Sequence, residues 1–323
     1  MLRILSAALA LAMLPIAANA QDAANWPRQP VQLLVPFPAG TTTDLVARIV
    51  ANDMSERLGQ PVVVENRPGG SGAIAMEAVA TADPDGYTIG LGTTTTQTVA
   101  VSMNPNLPYD PETDFEPIAM VGGVPYVLVV SPSLGVTSFE DLVAKAKEDP
   151  GALTYGSVGE ASLANLSTLL LANLTGMELT HVPYTAAGQV ALDNVAGRID
   201  MQLSTYGSLQ AFMQEDQLIP LAVTSRQSLS QLPDTPPVSE TGLADYEALL
   251  WFAMVAPAGT PDDLVLKMNE AINAGLETDA VRDALLQQGV EPDPNTPDYL
   301  ATRITEDIAK WREVRDRAGI DAE

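Results

Sequence analysis

Along this chain short apolar runs alternate with amphipathic stretches, and most of the runs end at turns built from glycine, proline and hydroxyl residues. Residues 31–44, VQLLVPFPAGTTTD, open the series: an apolar strand stops at a Pro-Phe-Pro-Ala-Gly turn and a helix begins. Leu45, Ile49, Met54 and Leu58 keep helical spacing up to Gly59, and Val62, Val63 and Val64 read as a buried strand that completes a βαβ unit. A glycine-rich turn then opens a helix over 73–80, and residues 87–92 form a strand that runs into Thr93, Thr94, Thr95 and Thr96. Further strands are expected at 126–130, 153–156, 179–183, 198–204, 219–223 and 249–256. Helices fall between them: Thr137 with Glu140 reads as a capping box, Leu163, Leu166, Leu169 and Leu170 mark an apolar face, and Thr260-Pro261 and Thr296-Pro297 read as matching helix starts. Such alternation predicts an α/β fold with mainly parallel sheets.

The first turn carries chemistry. A helix start leaves backbone N–H groups without intrahelical acceptors, aims them into a small volume and adds the positive end of the helix dipole. An anion fits there. Pro36 and Pro38 stiffen the loop, Gly40 allows close approach, and Thr41, Thr42 and Thr43 offer hydroxyls; Asp44 is expected to stabilise the first helical turn. Thr94 and Thr95 lie where another strand ends, the side on which open α/β sheets bind ligands. The turn Ser157-Val158-Gly159-Glu160-Ala161-Ser162, followed by a helix containing Asn165, repeats the opening motif. Two such turns would face each other across a cleft, with Phe37, Tyr206, Trp251 and Phe252 as candidates for an apolar wall.

Length and the N-terminus set the frame. Arg3, an apolar run and Ala18-Asn19-Ala20 read as a secretory signal peptide over 1–20, cleaved after Ala20. The remaining 303 of 323 residues suffice for two domains. Chain crossings near 122–125 and 245–251 divide them into 21–123 plus 248–323 and 124–247, two lobes joined by two hinge crossings. The formal charge of −25, or −26 without Arg3, argues against nucleic acid and anionic membrane surfaces as partners. It leaves room for an anionic ligand in a cleft, because distant carboxylates are screened beyond about 8 Å at physiological salt. No cysteine is present, so thiol catalysis and thiolate metal sites are excluded.

Enzymatic readings find little support. His181 is the single histidine, no G-x-S-x-G elbow occurs, and Ser157 in YGSVG reads as a strand-end residue. Gly70-Ser71-Gly72 followed by Ala75 matches a dinucleotide fingerprint by letter, yet Asn66-Arg67-Pro68 separates it from the strand it should follow. No P-loop, H-E-x-x-H or EF-hand pattern appears, and no cofactor is expected. A secreted α/β hydrolase acting on a small substrate stands as the alternative.

Seven blocks together resemble the Bug-type periplasmic solute-binding receptors of the tripartite tricarboxylate transporter family: VPFPAG with Asp44, LGQPVVVENRPGGSG, ADPDGYT, LPYDP with DFEPI, PGALTYGSVG, HVPY, and APAGTP. The resemblance implies a type II-like two-domain periplasmic binding protein fold and capture of a small organic acid (a di- or tricarboxylate, an aromatic acid or an amino acid) by domain closure. It also implies a monomer in the periplasm that presents its ligand to membrane transporter subunits or a sensor protein. Family members hold the ligand carboxylate largely on backbone amides of two facing loops. Carried over, the site is Phe37, Pro38, Ala39, Gly40, Thr41 and Thr43 against Ser157, Gly159, Glu160 and Ser162. Two departures fall here: Thr41 takes the place of a second glycine, and Glu160 and Asn165 stand where small or amide residues and a histidine are common.

Overall fold

The computed structural model describes residues 25–159, 162–184, 186–244 and 246–320. The signal peptide, its cleavage point and Glu160 therefore lie outside the described residues. In chain order the elements are β1 (Val31–Val35), α1 (Thr42–Leu58), β2 (Val62–Asn66), α2 (Ala73–Ala80), β3 (Thr88–Thr93), α3 (Ala100–Met103) and β4 (Phe115–Val130). Then come α4 (Phe139–Glu148), β5 (Thr154–Ser157), α5 (Leu163–Thr175), β6 (Thr180–Pro183), α6 (Ala187–Val195), β7 (Met201–Thr205), α7 (Tyr206–Gln214) and β8 (Ile219–Val223). The chain closes with β9 (Leu249–Pro257), α8 (Asp262–Leu276), α9 (Asp279–Gln287), β10 (Glu291–Pro292) and α10 (Pro297–Ala318).

The strands follow one another in the order β2-β1-β3-β9-β4-β7-β5-β6, with β8 and β10 also paired to β4. The βαβ alternation gives parallel pairs at both ends, β1 with β2 and β3, and β5 with β6 and β7. Between them the two long strands β4 and β9 run antiparallel to each other, and β9 runs antiparallel to β3. β4 is the element that the sequence reading truncated. It starts at Phe115 rather than Tyr126, pairs with β9 from Phe115 to Pro125, and then with β7 and β8 from Tyr126 onward. Its prolines and glycines, Pro117, Gly122, Gly123 and Pro125, hid it, because they are punctuation in most strands; here Pro117, Gly122 and Gly123 sit at register shifts or beside them, and Pro125 pairs with Leu249 where the chain passes on to β7.

Two main cores flank this junction. One packs β1, β3 and β9 against α1 and α8 through Leu33, Val50, Met54, Phe252 and Met268. The other gathers Leu128, Phe139, Tyr155, Leu166, Leu203 and Tyr246. Trp251 and Phe252 are wholly buried, so they belong to the core and form no ligand wall. Helix α10 spans both regions: Leu300, Ile304 and Ile308 pack on Met120 and Trp251, while Trp311 and Val314 enter the second core.

Local corrections follow from geometry. On α1 the buried face runs through Val46, Ala47, Val50, Ala51 and Met54, leaving Leu45 exposed. The α4 cap is Ser138, whose hydroxyl accepts from Asp141, so the proposed pairing of Thr137 with Glu140 is displaced by one residue. Thr260 does not cap α8, since its hydroxyl donates to the Pro257 carbonyl, whereas Thr296 caps α10 as expected.

Candidate functional site

The first loop is stitched to its own helix. Gly40, at φ +82°, donates its N–H to Asp44 Oδ2 at 2.9 Å. Asn66 at the end of β2 donates to Asp44 Oδ1 at 2.9 Å and to the Phe37 carbonyl at 3.0 Å. Arg48 adds Nε to Asp44 Oδ2 at 3.0 Å. Thr41 donates its hydroxyl to the Pro38 carbonyl at 2.8 Å and caps α1 by accepting from the Asp44 N–H at 3.4 Å. The Gly40 amide and the Thr41 hydroxyl proton are therefore engaged within the loop, with the Asp44 carboxylate as its internal anion. Pro38 and Ala39 are exposed, Phe37 is half-buried, and Thr43 is buried. The N–H groups of Thr42 and Thr43, at the first two helical positions, have no intrahelical acceptor and point from the positive end of α1.

Arg48 beside Asp44, opposed by burial and assisted by Gly40 and Asn66, holds this carboxyl down at about 2. A depressed value means a stabilising contribution that is complete above the unfolded carboxylate range near 4 and lost as pH falls through about 2. Asp44→Ala is expected to cost about 2–3 kcal/mol at pH 7, the scale of hydrogen bonds to a charged group. Urea unfolding of both proteins at pH 7 and pH 3 checks this: the gap between them should narrow at the lower pH, and a constant gap contradicts the assignment.

The threonine cluster after β3 is mostly structural. Thr94 is fully buried; its hydroxyl donates to the Leu249 carbonyl at 2.8 Å and accepts from the Trp251 N–H at 2.8 Å, clamping β9. It cannot also hold a ligand, so its assignment to the site is withdrawn. The Thr93 N–H donates to Thr96 Oγ1, while Thr95 is half-buried. Gly72 shows how closely the loops converge: a Cβ there would lie 2.5 Å from Thr96 Cγ2 and 3.0 Å from Pro36 Cβ.

The second loop is also internally bonded. Ser162 caps α5, accepting from the Asn165 N–H at 3.2 Å and donating to the Gly159 carbonyl at 2.8 Å. Asn165 is buried and its Oδ1 accepts from the Tyr155 hydroxyl at 2.7 Å. Through these bonds Ser162 and Asn165 support the loop. Gly159, at φ +86°, has open space where a Cβ would stand. Ser157, buried, lies 2.8 Å from His181 Nε2, and the imidazole stacks on Tyr155 at 4.9 Å between centroids. Sequence spacing gave no sign of this Ser-His pair; strand pairing of β5 with β6 brings it about.

A cavity of about 410 Å³ opens where several elements meet. Thr42 at the start of α1 lines one side, residues 205–208 at the start of α7 the other, Val124 of β4 and Leu250 of β9 lie between them, and Gln210, Gln231 and residues 286–289 complete it. Of the side chains singled out in the sequence, Thr42 and Tyr206 line this cavity; the Ser157 loop does not. Helix α7 has no side-chain cap, so the amides at its start keep their donors. Thr205, Gly207 and Ser208 were missed, although Ser204-Thr205-Tyr206-Gly207 repeats the strand, hydroxyl and glycine order of the first loop. A second recess of about 600 Å³ between residues 104–110 and Arg312 and Arg315 contains no strand-to-helix turn of a parallel pair. Among the described residues no group of histidine and acidic side chains could hold a metal ion, and no helix is long and apolar enough to cross a membrane.

Comparison with known proteins fits this architecture. The model of the tripartite tricarboxylate transporter family receptor matches residues 46–320. Protein BugT of Bordetella pertussis is 34% identical over 291 residues, 90% of this chain and 89% of that protein. Rpa4515 of Rhodopseudomonas palustris, solved with adipate, is 36% identical with a TM-score of 0.75, covering 92% of this chain and 99% of that one. MatC of the same organism, solved with bound malate, is 30% identical with a TM-score of 0.70 over 90% of this chain and 99% of its own. The shared fold is the two-domain one of periplasmic binding proteins. The chain belongs to the receptor family of the tripartite tricarboxylate transporters.

Proposed function

We propose that the chain is a periplasmic receptor that captures a small organic acid by closing two lobes, 21–123 plus 248–323 and 124–247, about the β4 and β9 crossings, and presents it to membrane transporter subunits. One observation carries this reading: the starts of α1 and α7, one on each side of the β4–β9 junction, look into the same cavity. A carboxylate accepts from the Thr42 and Thr43 amides, and closure brings the uncapped amides at 206–208 onto its other face, with Tyr206 covering the body of the ligand. Two helix dipoles and charge-assisted bonds of about 1.5–3 kcal/mol each suffice for a micromolar dissociation constant near 8 kcal/mol after ordering costs. The relatives solved with adipate and malate support an organic acid as ligand.

Thermal shift of the chain from Gln21 against organic acids, their amides and neutral sugars tests the reading. A ligand at a hundred times its dissociation constant adds about 2.7 kcal/mol and raises the midpoint by several degrees. Only acids should do so; a response to sugars alone, or to nothing, contradicts it.

The second reading, a secreted hydrolase, draws on the 2.8 Å approach of Ser157 to His181. Against it, Ser157 is 3% exposed and also donates to the Gly159 carbonyl. Turnover of small esters that is lost in Ser157→Ala would favour this reading.

A further inference from the structure

We propose that α10 braces the back of the hinge and holds the cleft open until a ligand binds, so that residues far from the cleft tune the affinity. The proposal rests on the domain-closure reading above and adds to it the contact that opposes closure. Strands β4 and β9 separate two unlike sides of the molecule. Val124 and Leu250 line the cavity, whereas Met120 and Trp251 pack beneath α10, and the neighbours Leu250 and Trp251 take opposite faces of one strand. On the cavity side the facing helix starts meet water: Thr42, Gly207 and Ser208 are exposed. The side behind the strands is a closed core. There α10 packs on α3 and on α5, and one buried cluster gathers Met103, Trp311 and Val314 from the lobe 21–123 plus 248–323 with Leu163, Leu166 and Tyr246 from the lobe 124–247. Polar bonds cross the same boundary, since Arg303 Nη1 donates to Glu247 Oε2 at 2.6 Å and Lys310 Nζ to the Glu247 carbonyl at 3.3 Å.

Closure on one side of a pair of strands parts what lies on the other. Helix α10 runs unbroken from Pro297 to Ala318, and Leu300, Ile304 and Ile308 fix it beside Met120 and Trp251. As the lobes close, Trp311 and Val314 draw away from α5 and Tyr246, which returns apolar surface to water and opposes the motion. A bound ligand has to offset that cost. When the binding-competent form is a minor one, the apparent affinity falls in proportion to its population, so loosening the brace raises both together.

Two substitutions loosen the brace from different elements, Val314→Ala on α10 and Met103→Ala on α3. The chain has no cysteine, so Glu77→Cys on α2 and Gln189→Cys on α6, both exposed and one in each lobe, take spin labels at those points alone. Pulsed electron paramagnetic resonance on the chain from Gln21, without ligand, is expected to show interlobe distances shifted toward the short, closed population in both variants. Calorimetry with adipate and malate, and with any other acid that raises the melting midpoint, should give a dissociation constant about three to ten times lower than the parent's, although both variants melt earlier. A less stable chain that binds more tightly is the signature of the brace, because lost packing alone leaves affinity unchanged or weakens it. Distances equal to the parent's in both variants, or affinity that is unchanged or weaker, overturn the proposal and leave the receptor reading standing. Distances that shorten in a chain whose melting responds to no acid keep the brace and remove the receptor reading, which separates the two failures.

Discussion

Replacing Asp307 by alanine is expected to destabilise the protein by about 3–5 kcal/mol, the cost of breaking a buried ion pair and leaving its partners uncompensated. Asp307, on α10 and 4% exposed, accepts from Trp251 Nε1 at 2.8 Å, from Arg303 Nε at 3.1 Å and from Lys310 Nζ at 2.6 Å. Arg303 also reaches Glu247 at 2.6 Å, so the network ties α10 to the segment that leads into β9. Burial pushes the Asp307 carboxyl up, and Lys310 and Arg303 more than offset it, leaving the group below the usual carboxylate range. Its contribution is therefore complete above the unfolded value near 4 and lost as pH falls through the lower folded value. Urea unfolding at pH 7 measures the loss. A change under 1 kcal/mol would show that water reaches the vacated site and that α10 is not fastened to β9 through this carboxylate.

Gly122→Val is expected to cost about 3 kcal/mol or more, lowering the melting midpoint by about 5 °C or more. Gly122 sits at φ +155° at a register shift of β4, and a Cβ there would clash with the Glu291 carbonyl oxygen, a backbone atom of β10. The same residue pairs with Pro292, and the turn before β10 lines the cavity through residues 286–289. Displacing β10 should thus weaken ligand binding in whatever fraction of the variant remains folded. Gly122→Ala, with the same first carbon and less bulk, serves as the milder comparison; a midpoint within 2 °C of the parent for both variants contradicts the steric account.

Much of this fold was legible because local signals agreed. Thr41, Asp44 and Gly59 bracket α1 with a cap, an acidic first turn and a left-handed stop, and the helix over 73–80 and the strand over 219–223 fall where the pattern put them. The α/β class and the βαβ units at each end of the sheet follow from the same alternation. β4 was only half legible, since its stability comes from partners 71 to 170 residues away, Met201 and Pro292 at the two extremes, rather than from its own glycine- and proline-rich sequence. The site was harder for a related reason. The sequence suggests an anion-binding turn in the first loop, yet its spacing does not reveal that the Asp44 carboxylate turns back onto Gly40, or that the Thr94 hydroxyl is bonded to Leu249 and Trp251. Which N–H groups remain open depends on tertiary partners. The glutamines of the cavity come from α7, the segment between β8 and β9, and the end of α9, three places with no shared motif. Glu160 remains a sequence-level expectation alone.

The most direct test of the account compares one acid with its own uncharged amide. Once thermal shift identifies an acid that binds, calorimetry of that acid and the corresponding primary amide isolates the contribution of the carboxylate while keeping size and shape. Capture on the two helix starts predicts a loss of at least a hundredfold in affinity for the amide, about 2.7 kcal/mol. Equal affinity for acid and amide would contradict the central claim that this cavity is built to hold a carboxylate.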